Sequence, residues 1–203
     1  MADFPLTYTN IAGASKTVAP RSVEVELNQR TVRTTSLSGR QQVRTFGTSY
    51  YTVTVNFPPM IDEDRQQVTG KLGSLRGGVG TFTIAPTNFT NTLDTSADSE
   101  NLNSSFTGAV GVTAVTTAGS DEFRPGDYFK FSNHTKTYMV TSCSGQTLNF
   151  EPFLQTAVSQ ASGHTIQSGS NFFMTCRLAD DSVTYSQGAD GFNSISFTAI
   201  EAI

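Results

Sequence analysis

The residues best suited to chemistry in this chain of 203 residues are two histidines and a few carboxylates. His134 and His164 have no Cys, Asp or His neighbour at metal-ligand spacing, and they match no protease motif. Asp127 and Glu151 are candidates for a pair of catalytic acids, but nothing in the sequence places them at a working separation. We therefore expect the histidines in loops or edge strands and assign no catalytic residue.

Two further patterns suggest ligand binding and fail on closer reading. The glycine-rich residues 70–80 lack a Ser or Thr after Lys71, and their glycines end a predicted helix, whereas a phosphate loop begins one. Asp180 with Asp181, and Asp94 and Asp98 with Glu100, are candidates for a weak cation site, but the glycine and closing glutamate of an EF-hand are missing. We predict a tight turn and solvated carboxylates, and we assign no cofactor-binding and no metal-binding residue.

Composition favours a β-rich protein. Charged residues are only 15% of the chain, and Thr, Val, Phe and Tyr, which favour strands, are frequent. The formal net charge of −4 argues against a nucleic-acid binder. Residues 1–80 hold nine basic and six acidic side chains, and the remainder holds four and eleven. Faces of opposite sign suit head-to-tail or ring packing of identical copies, although chance clustering on a solvated surface explains the same numbers.

The chain carries no sign of secretion or membrane insertion. Its first residues lack the basic start and apolar run of a signal peptide, and no stretch approaches the roughly 20 apolar residues of a membrane helix. We expect a soluble protein made in the cytoplasm. Cys143 and Cys176, without a partner at metal-ligand spacing, are predicted to be buried thiols.

The first part of the chain predicts strands, a helix and a returning strand. Strict alternation over residues 21–27 predicts a half-buried strand. Residues 41–46 and 50–57 are predicted to pair as a hairpin through a turn at residues 47–49. Two prolines end the second strand, and residues 61–76 are predicted to form an amphipathic helix. Its apolar stripe comprises Ile61, Val68, Leu72 and Leu75.

The second part predicts short strands within an inserted unit. The polar residues 86–106 are interpreted as a linker or mobile loop. Short strands follow at residues 109–116, 128–131, 137–143 and 147–150, a spacing typical of a small barrel or sandwich. Two alternating segments, Phe172 to Leu178 and Ile195 to Ala199, are predicted to return to the first sheet.

The predicted fold class is mainly β. It combines a split β-barrel or antiparallel sheet with one flanking α-helix and an inserted small β-barrel-like subdomain. We predict the main domain in residues 1–90 and 169–203, a flexible linker in residues 91–106 and the inserted subdomain in residues 107–168.

Several short segments resemble the distal-tail or baseplate-type tail proteins of tailed bacteriophages. They are RQQVR at 40–44, VTVNFPPM at 53–60, GSLRG at 73–77, GTF at 80–82, FRPGDYF at 123–129, KTYMV at 136–140, LNFEPFL at 148–154 and FTAIEA at 197–202. The resemblance implies a split β-barrel with a flanking helix that assembles into six-fold rings and joins the tail tube to the hub and fibres. It implies a structural virion protein without catalysis or cofactor. Its partners would be its own copies, tail-tube protein and hub or baseplate protein, with no nucleic acid and no membrane.

The sequence leaves other functions open. Tyr50, Tyr51, Tyr128 and Tyr138 would supply the stacking surface of a carbohydrate-binding or adhesin module. A head-to-tail adaptor or tail-completion ring would use the same kind of assembly at another place in the particle. A small hydrolase of the host envelope would have to use His134, His164, Asp127 or Glu151.

Overall fold

A computed structural model of the chain describes residues 3–85, 99–119, 123–187 and 192–203. Within these residues there is one α-helix, α1 (Asp62–Ser74), and there are short 3₁₀ turns at Gly77–Val79, Gln160–Ser162 and Gly169–Asn171. The strands are β1 (Leu6–Thr9), β2 (Ser15–Val18), β3 (Ser22–Thr35), β4 (Gln41–Asn56), β5 (Phe82–Ile84), β6 (Ser99–Asn101), β7 (Thr107–Gly108), β8 (Ala114–Thr116), β9 (Tyr128–Phe131), β10 (Thr137–Ser144), β11 (Thr147–Glu151), β12 (Val158–Ser159), β13 (Thr165–Gln167), β14 (Met174–Leu178), β15 (Thr184–Gln187) and β16 (Asn193–Glu201).

The larger sheet is antiparallel and has the order β3-β4-β16-β14-β5, with β15 also paired to β16. Alternate side chains of β4 point into one core, where Tyr51, Val53 and Val55 have no exposed surface. The same alternation buries Phe172 to Leu178 and Ile195 to Ala199 at every second position. The predicted inward faces are therefore confirmed, as is the return of the last two segments to the first sheet.

The smaller sheet has the order β6-β13-β9-β10-β11-β8. Its two outer strands meet at one bridge between Leu102 and Thr117, flanked by hydrogen bonds from the Asn103 amide to the Thr116 carbonyl and from the Ala118 amide to the Asn101 carbonyl, both 2.8 Å. The described part of this sheet thus curls into a barrel-like form without a full ladder between its first and last strands. The mainly β class is confirmed.

Two clusters of buried apolar residues lie under the two sheets. One draws its members from residues 4–84 and 172–199, and the other draws them from residues 102–166. Tyr128, from the second stretch, packs against the first cluster. The predicted domain boundaries stay a prediction.

The predicted hairpin at residues 41–57 is wrong. β4 runs unbroken from Gln41 to Asn56 and pairs along its length with β3, from Ser22 opposite Asn56 to Thr35 opposite Gln41. The turn lies instead at residues 36–40, where Gly39 has a φ of +78° and its amide donates to the Ser36 carbonyl. A backbone that requires positive φ is favoured by glycine, so this glycine marks the turn, and Gly47 does not.

The predicted linker is partly wrong. Residues 86–98 lie outside the described residues, but residues 99–101 form β6, which pairs with β13. Leu102, only 1% exposed, belongs to the second core. One buried leucine packs this polar stretch against the core, so its polar composition wrongly indicated a linker over residues 99–102.

The helix is shorter than predicted and ends in a tight turn. Ile61 precedes α1 and is 47% exposed, so its place in the apolar stripe is wrong, whereas Val68, Leu72 and Leu75 are buried. The predicted turn after the helix is confirmed. The amide of Gly80 donates to the Leu75 carbonyl at 2.8 Å.

We expect Gly80→Ala to destabilise the protein by about 1–3 kcal/mol, because a Cβ there would lie 2.7 Å from the carbonyl oxygen of Leu75 and 2.8 Å from its Cα. The matched control is Gly70→Ala inside α1, where a Cβ meets nothing within 4 Å. That change should stabilise by about 0.5–1 kcal/mol through helix propensity. Urea unfolding of both variants measures the difference, and equal effects at the two positions would contradict the close approach.

Candidate functional site

A two-stranded arm projects from the larger sheet. We define the arm as residues 29–45, the outer half of the β3–β4 hairpin, and every one of its side chains is exposed. A register shift between Gln29 and Thr31 marks the point where the arm leaves the sheet. Its tip is held by hydrogen bonds from the Ser36 amide to the Arg40 carbonyl and from the Gly39 amide to the Ser36 carbonyl, both 2.9 Å. The tip is therefore an ordered turn.

The arm differs in charge from the rest of the protein. It carries four arginines and no carboxylate: Arg30, Arg33, Arg40 and Arg44. Because the whole chain has a formal net charge of −4, the residues outside the arm carry −8. Surfaces of opposite net charge attract each other, and the attraction is strongest at low ionic strength.

The arm also exposes apolar side chains. Val32 lies opposite Arg44 on one face, and Arg33 lies opposite Val43 on the other, so on each face a valine lies beside an arginine. Val32 and Val43 are 46% and 60% exposed, and Leu37 at the tip is fully exposed. Since an isolated two-stranded ribbon is only marginally stable in water, the arm has the composition of a segment that gains stability on docking.

A cleft of about 500 Å³ separates the root of the arm from the smaller sheet. Its lining includes the carboxylate of Glu151 and the half-buried aromatic ring of Phe153. Polar and small residues complete the described lining: Gln29, Thr31, Thr45, Ser49, Gly111, Thr113 and Pro152. Glu151 is the one titratable side chain in the described lining, so this lining shows no acid–base pair.

A buried ion pair joins the two sheets beside this cleft. The ammonium of Lys136, just before β10, lies 2.5 Å from Glu201 Oε2 at the end of β16, and both side chains are at most 1% exposed. Lys136 also donates to the Ser49 carbonyl at 2.7 Å, at the root of the arm. The carboxylate accepts the backbone amides of Thr137 at 2.5 Å and Tyr51 at 3.2 Å.

Electrostatics at this pair are dominated by burial. Burial lowers the pKa of Lys136 from its ordinary value, and Glu201 opposes the shift by charge and hydrogen bonding. The ring of Tyr51 lies 5.4 Å from the ammonium, so its π face adds attraction. Nothing in the sequence signals this pair, because 65 positions separate its partners.

Of the four predicted chemical residues, His134 and His164 lie near each other, and neither is in the described lining of the cleft that contains Glu151. His134 precedes β10, where Nε2 hydrogen-bonds the Tyr138 hydroxyl at 2.9 Å and Nδ1 hydrogen-bonds Asn133 Oδ1 at 2.7 Å. Burial and then the nearby His164 and Lys136 lower the pKa of His134 to about 4. Nδ1 of His164 accepts the Ser159 amide at 3.1 Å. Both histidines hold local structure.

The two candidate acids lie on either side of β10. Asp127 accepts the Arg124 amide at 2.7 Å within the turn before β9, and burial raises its pKa. Glu151 ends β11, and Met139 of β10 pairs with both Tyr128 and Glu151. Only Glu151 lines the cleft.

The candidate cation ligands serve as acceptors of backbone amides. Asp181 accepts the Gly78 amide at 3.2 Å in the turn after α1, and Glu100 accepts the Gly119 amide at 2.6 Å. Asp180 is exposed, whereas Asp94 and Asp98 lie outside the described residues. Across the described ranges, no group of three His, Cys, Asp or Glu residues is arranged to hold a metal ion.

The predicted tyrosine surface is wrong. Tyr51 and Tyr138 have no exposed surface and belong to the two cores, because both alternate inward on their strands. Tyr50 and Tyr128 are partly exposed but cannot form the four-ring platform. Of the two predicted buried thiols, Cys176 is buried and Cys143 is half-buried, so the second is wrong.

No protein-family model and no curated protein sequence matches the chain. The one helix in the described ranges is too short and too polar to cross a membrane.

We expect Lys136→Met to lower the free energy of unfolding by about 3–5 kcal/mol, because it leaves the Glu201 carboxylate buried without its counter-ion. The matched control is Lys71→Met, which breaks an ion pair with Asp3 whose side chains are about one-third exposed. The control should lose about 1 kcal/mol or less. Chemical denaturation at pH 7 measures the free energy of unfolding of both variants. Equal losses would show that the buried pair stabilises the fold no more than the exposed pair does.

We also expect stability to depend on pH through His134. Its folded pKa of about 4 lies below the ordinary value of 6.5, so the unfolded chain binds a proton that the folded protein excludes. This contribution is intact above pH 6.5 and is lost as the pH falls toward 4. The free energy of unfolding, measured with urea at several pH values, should fall less between pH 6.5 and 4 for His134→Gln than for the parent. Parallel curves would contradict the assignment.

Proposed function

We propose that the protein is a structural component of a bacteriophage virion tail. In this proposal it is a distal-tail or baseplate ring subunit that links the tail tube to the hub and fibres and performs no catalysis. The observation that carries the proposal is the arm, a wholly exposed, basic and partly apolar ribbon on an otherwise acidic protein.

The physical argument for assembly is that every side chain of the arm is exposed in the single chain, so none of them contributes to either core. The arm exposes Val32, Leu37 and Val43, and in the described residues β3 has no ladder other than the one with β4. A strand edge of that kind can pair with another chain. Such a feature is favourable when a partner covers it.

The argument for a phage tail in particular is the resemblance of the sequence segments. The segments at 53–60, 73–77 and 80–82 correspond to the inner half of β4, the end of α1 and the start of β5. The described helix flanking an antiparallel sheet, with a curled second sheet, agrees with the fold that the resemblance implies. These agreements support the proposal.

The other functions are less well supported. The carbohydrate-binding hypothesis relied on four tyrosines, and two of them are buried. The hydrolase hypothesis relied on His134, His164, Asp127 and Glu151. The first three make local hydrogen bonds, and only Glu151 lines the cleft. A head-to-tail adaptor or tail-completion ring would use the same arm and differs from the proposal only in its partners.

Self-assembly of the purified chain tests the proposal. Light scattering and native mass spectrometry should show a closed oligomer that weakens as salt is raised, and negative-stain images should show rings. In the control variant, an Asn-Gly turn replaces residues 30–48 and joins Gln29 to Ser49, which face each other across the hairpin. This variant should keep the fold and remain monomeric.

Binding to tail protein separates the candidate positions in the particle. Tail-tube protein from the same virus should bind the oligomer, whereas binding to a head-completion protein alone would favour the adaptor. A chain that stays monomeric at high concentration and ignores tail-tube protein would overturn the proposal.

A further inference from the structure

We propose that the arm of one copy adds as a strand to the free edge of β3, residues 22–28, in the next copy. This inference rests on the proposed function and names the surface that receives the arm. It commits to a second copy of the chain as the partner.

The receiving edge is long and open. β3 is the outermost strand of the larger sheet, and its only ladder in the described part of the chain is the one with β4. Seven residues of a strand extend about 24 Å, and alternate backbone amides and carbonyls along them point away from β4. Such an edge forms main-chain hydrogen bonds with an added strand.

The side chains of this edge disfavour pairing with itself. Glu24 and Glu26 are both exposed on the outer face of the sheet, opposite Thr54 and Thr52 of β4. Two such edges in antiparallel contact would bring carboxylates close together, and like charges in facing positions are destabilising. The edge therefore selects a strand that carries positive charge and no carboxylate.

The arm is a strand of that kind. β16 pairs only with residues 52–56 of β4, so no second ladder in the described part of the chain covers residues 41–44. Arg44 and Gln42 share one face of this segment, and Arg40 follows at the tip. Arginines on one face of the arm can thus meet the Glu24 and Glu26 carboxylates while the backbones pair.

This pairing is head-to-tail. The arm and the receiving edge are different surfaces, so each copy donates one arm and accepts one. A heterologous contact of this kind closes into a ring when the rotation that relates neighbouring copies is a whole-number fraction of 360°. Otherwise the copies continue as a filament.

Charge reversal on each side tests the pairing. Variant A is Glu24→Arg/Glu26→Arg, and variant B is Arg40→Glu/Arg44→Glu. Each alone should self-associate about tenfold or more weakly than the parent, because facing charges become alike. In an equimolar mixture each contact between A and B again joins opposite charges, so A and B should co-assemble in alternation, and a chain with all four changes should assemble alone.

The controls place charge elsewhere. Gln66→Arg/Gln67→Arg adds two cations to the exposed side of α1, and Arg124→Glu reverses an exposed arginine of the inserted stretch. Both should assemble like the parent. Hydrogen exchange should slow at residues 22–28 when the parent assembles, and it should stay fast in A or B alone.

The outcomes separate the two proposals. Parent-like assembly of A and B, or a mixture that does not recover assembly, would overturn the arm-to-edge pairing while the proposed function stands. A parent chain that never assembles would overturn both.

Discussion

The buried ion pair between Lys136 and Glu201 constrains how the two sheets pack against each other. Bringing a lysine and a glutamate out of water costs several kcal/mol for each charge, and only close contact together with further hydrogen bonds offsets that cost. The pair meets this condition, since the ammonium also donates to the Ser49 carbonyl and the carboxylate accepts two backbone amides. Its geometry is demanding, so it fixes one relative position of β4, β10 and β16.

The root of the arm is attached to this pair. Ser49 lies opposite Gln29 in the ladder, at the register shift where the arm begins. Its carbonyl is held by Lys136, which belongs to the inserted stretch, so the root of the arm is attached to both sheets. The ordered tip at residues 36–40 completes a ribbon that is defined at its two ends. A ribbon held in this way loses less conformational entropy on docking than a mobile loop would.

Sequence reasoning predicted the faces of strands better than their connections. Alternation places Tyr51, Val53 and Val55 on one face because a strand has a period of two residues, whatever its partner. The hairpin at residues 41–57 was wrong because Gly47 lies inside a long strand while Gly39 makes the turn, and composition does not separate the two. Leu102 was missed because one apolar residue in a polar stretch has no periodicity. The ion pair could not be predicted because Lys136 and Glu201 are distant in sequence, and their burial follows only from the packing of two sheets.

In the proposed assembly, the separation of charge along the chain would allow one protein to have both a donating arm and a receiving edge without aggregating at random. The four arginines of the arm would repel the arms of other copies, and Glu24 and Glu26 would repel other edges. Both like-with-like contacts would therefore be disfavoured, and the remaining contact, arm with edge, would be attractive and directional. The same logic explains why the apolar residues of the arm stand beside arginines on each face, since charge keeps Val32 and Val43 soluble until a strand of the opposite sign covers them. In the proposed assembly, order among the copies would come from this charge pattern, while the main-chain hydrogen bonds and the apolar contacts would provide the strength.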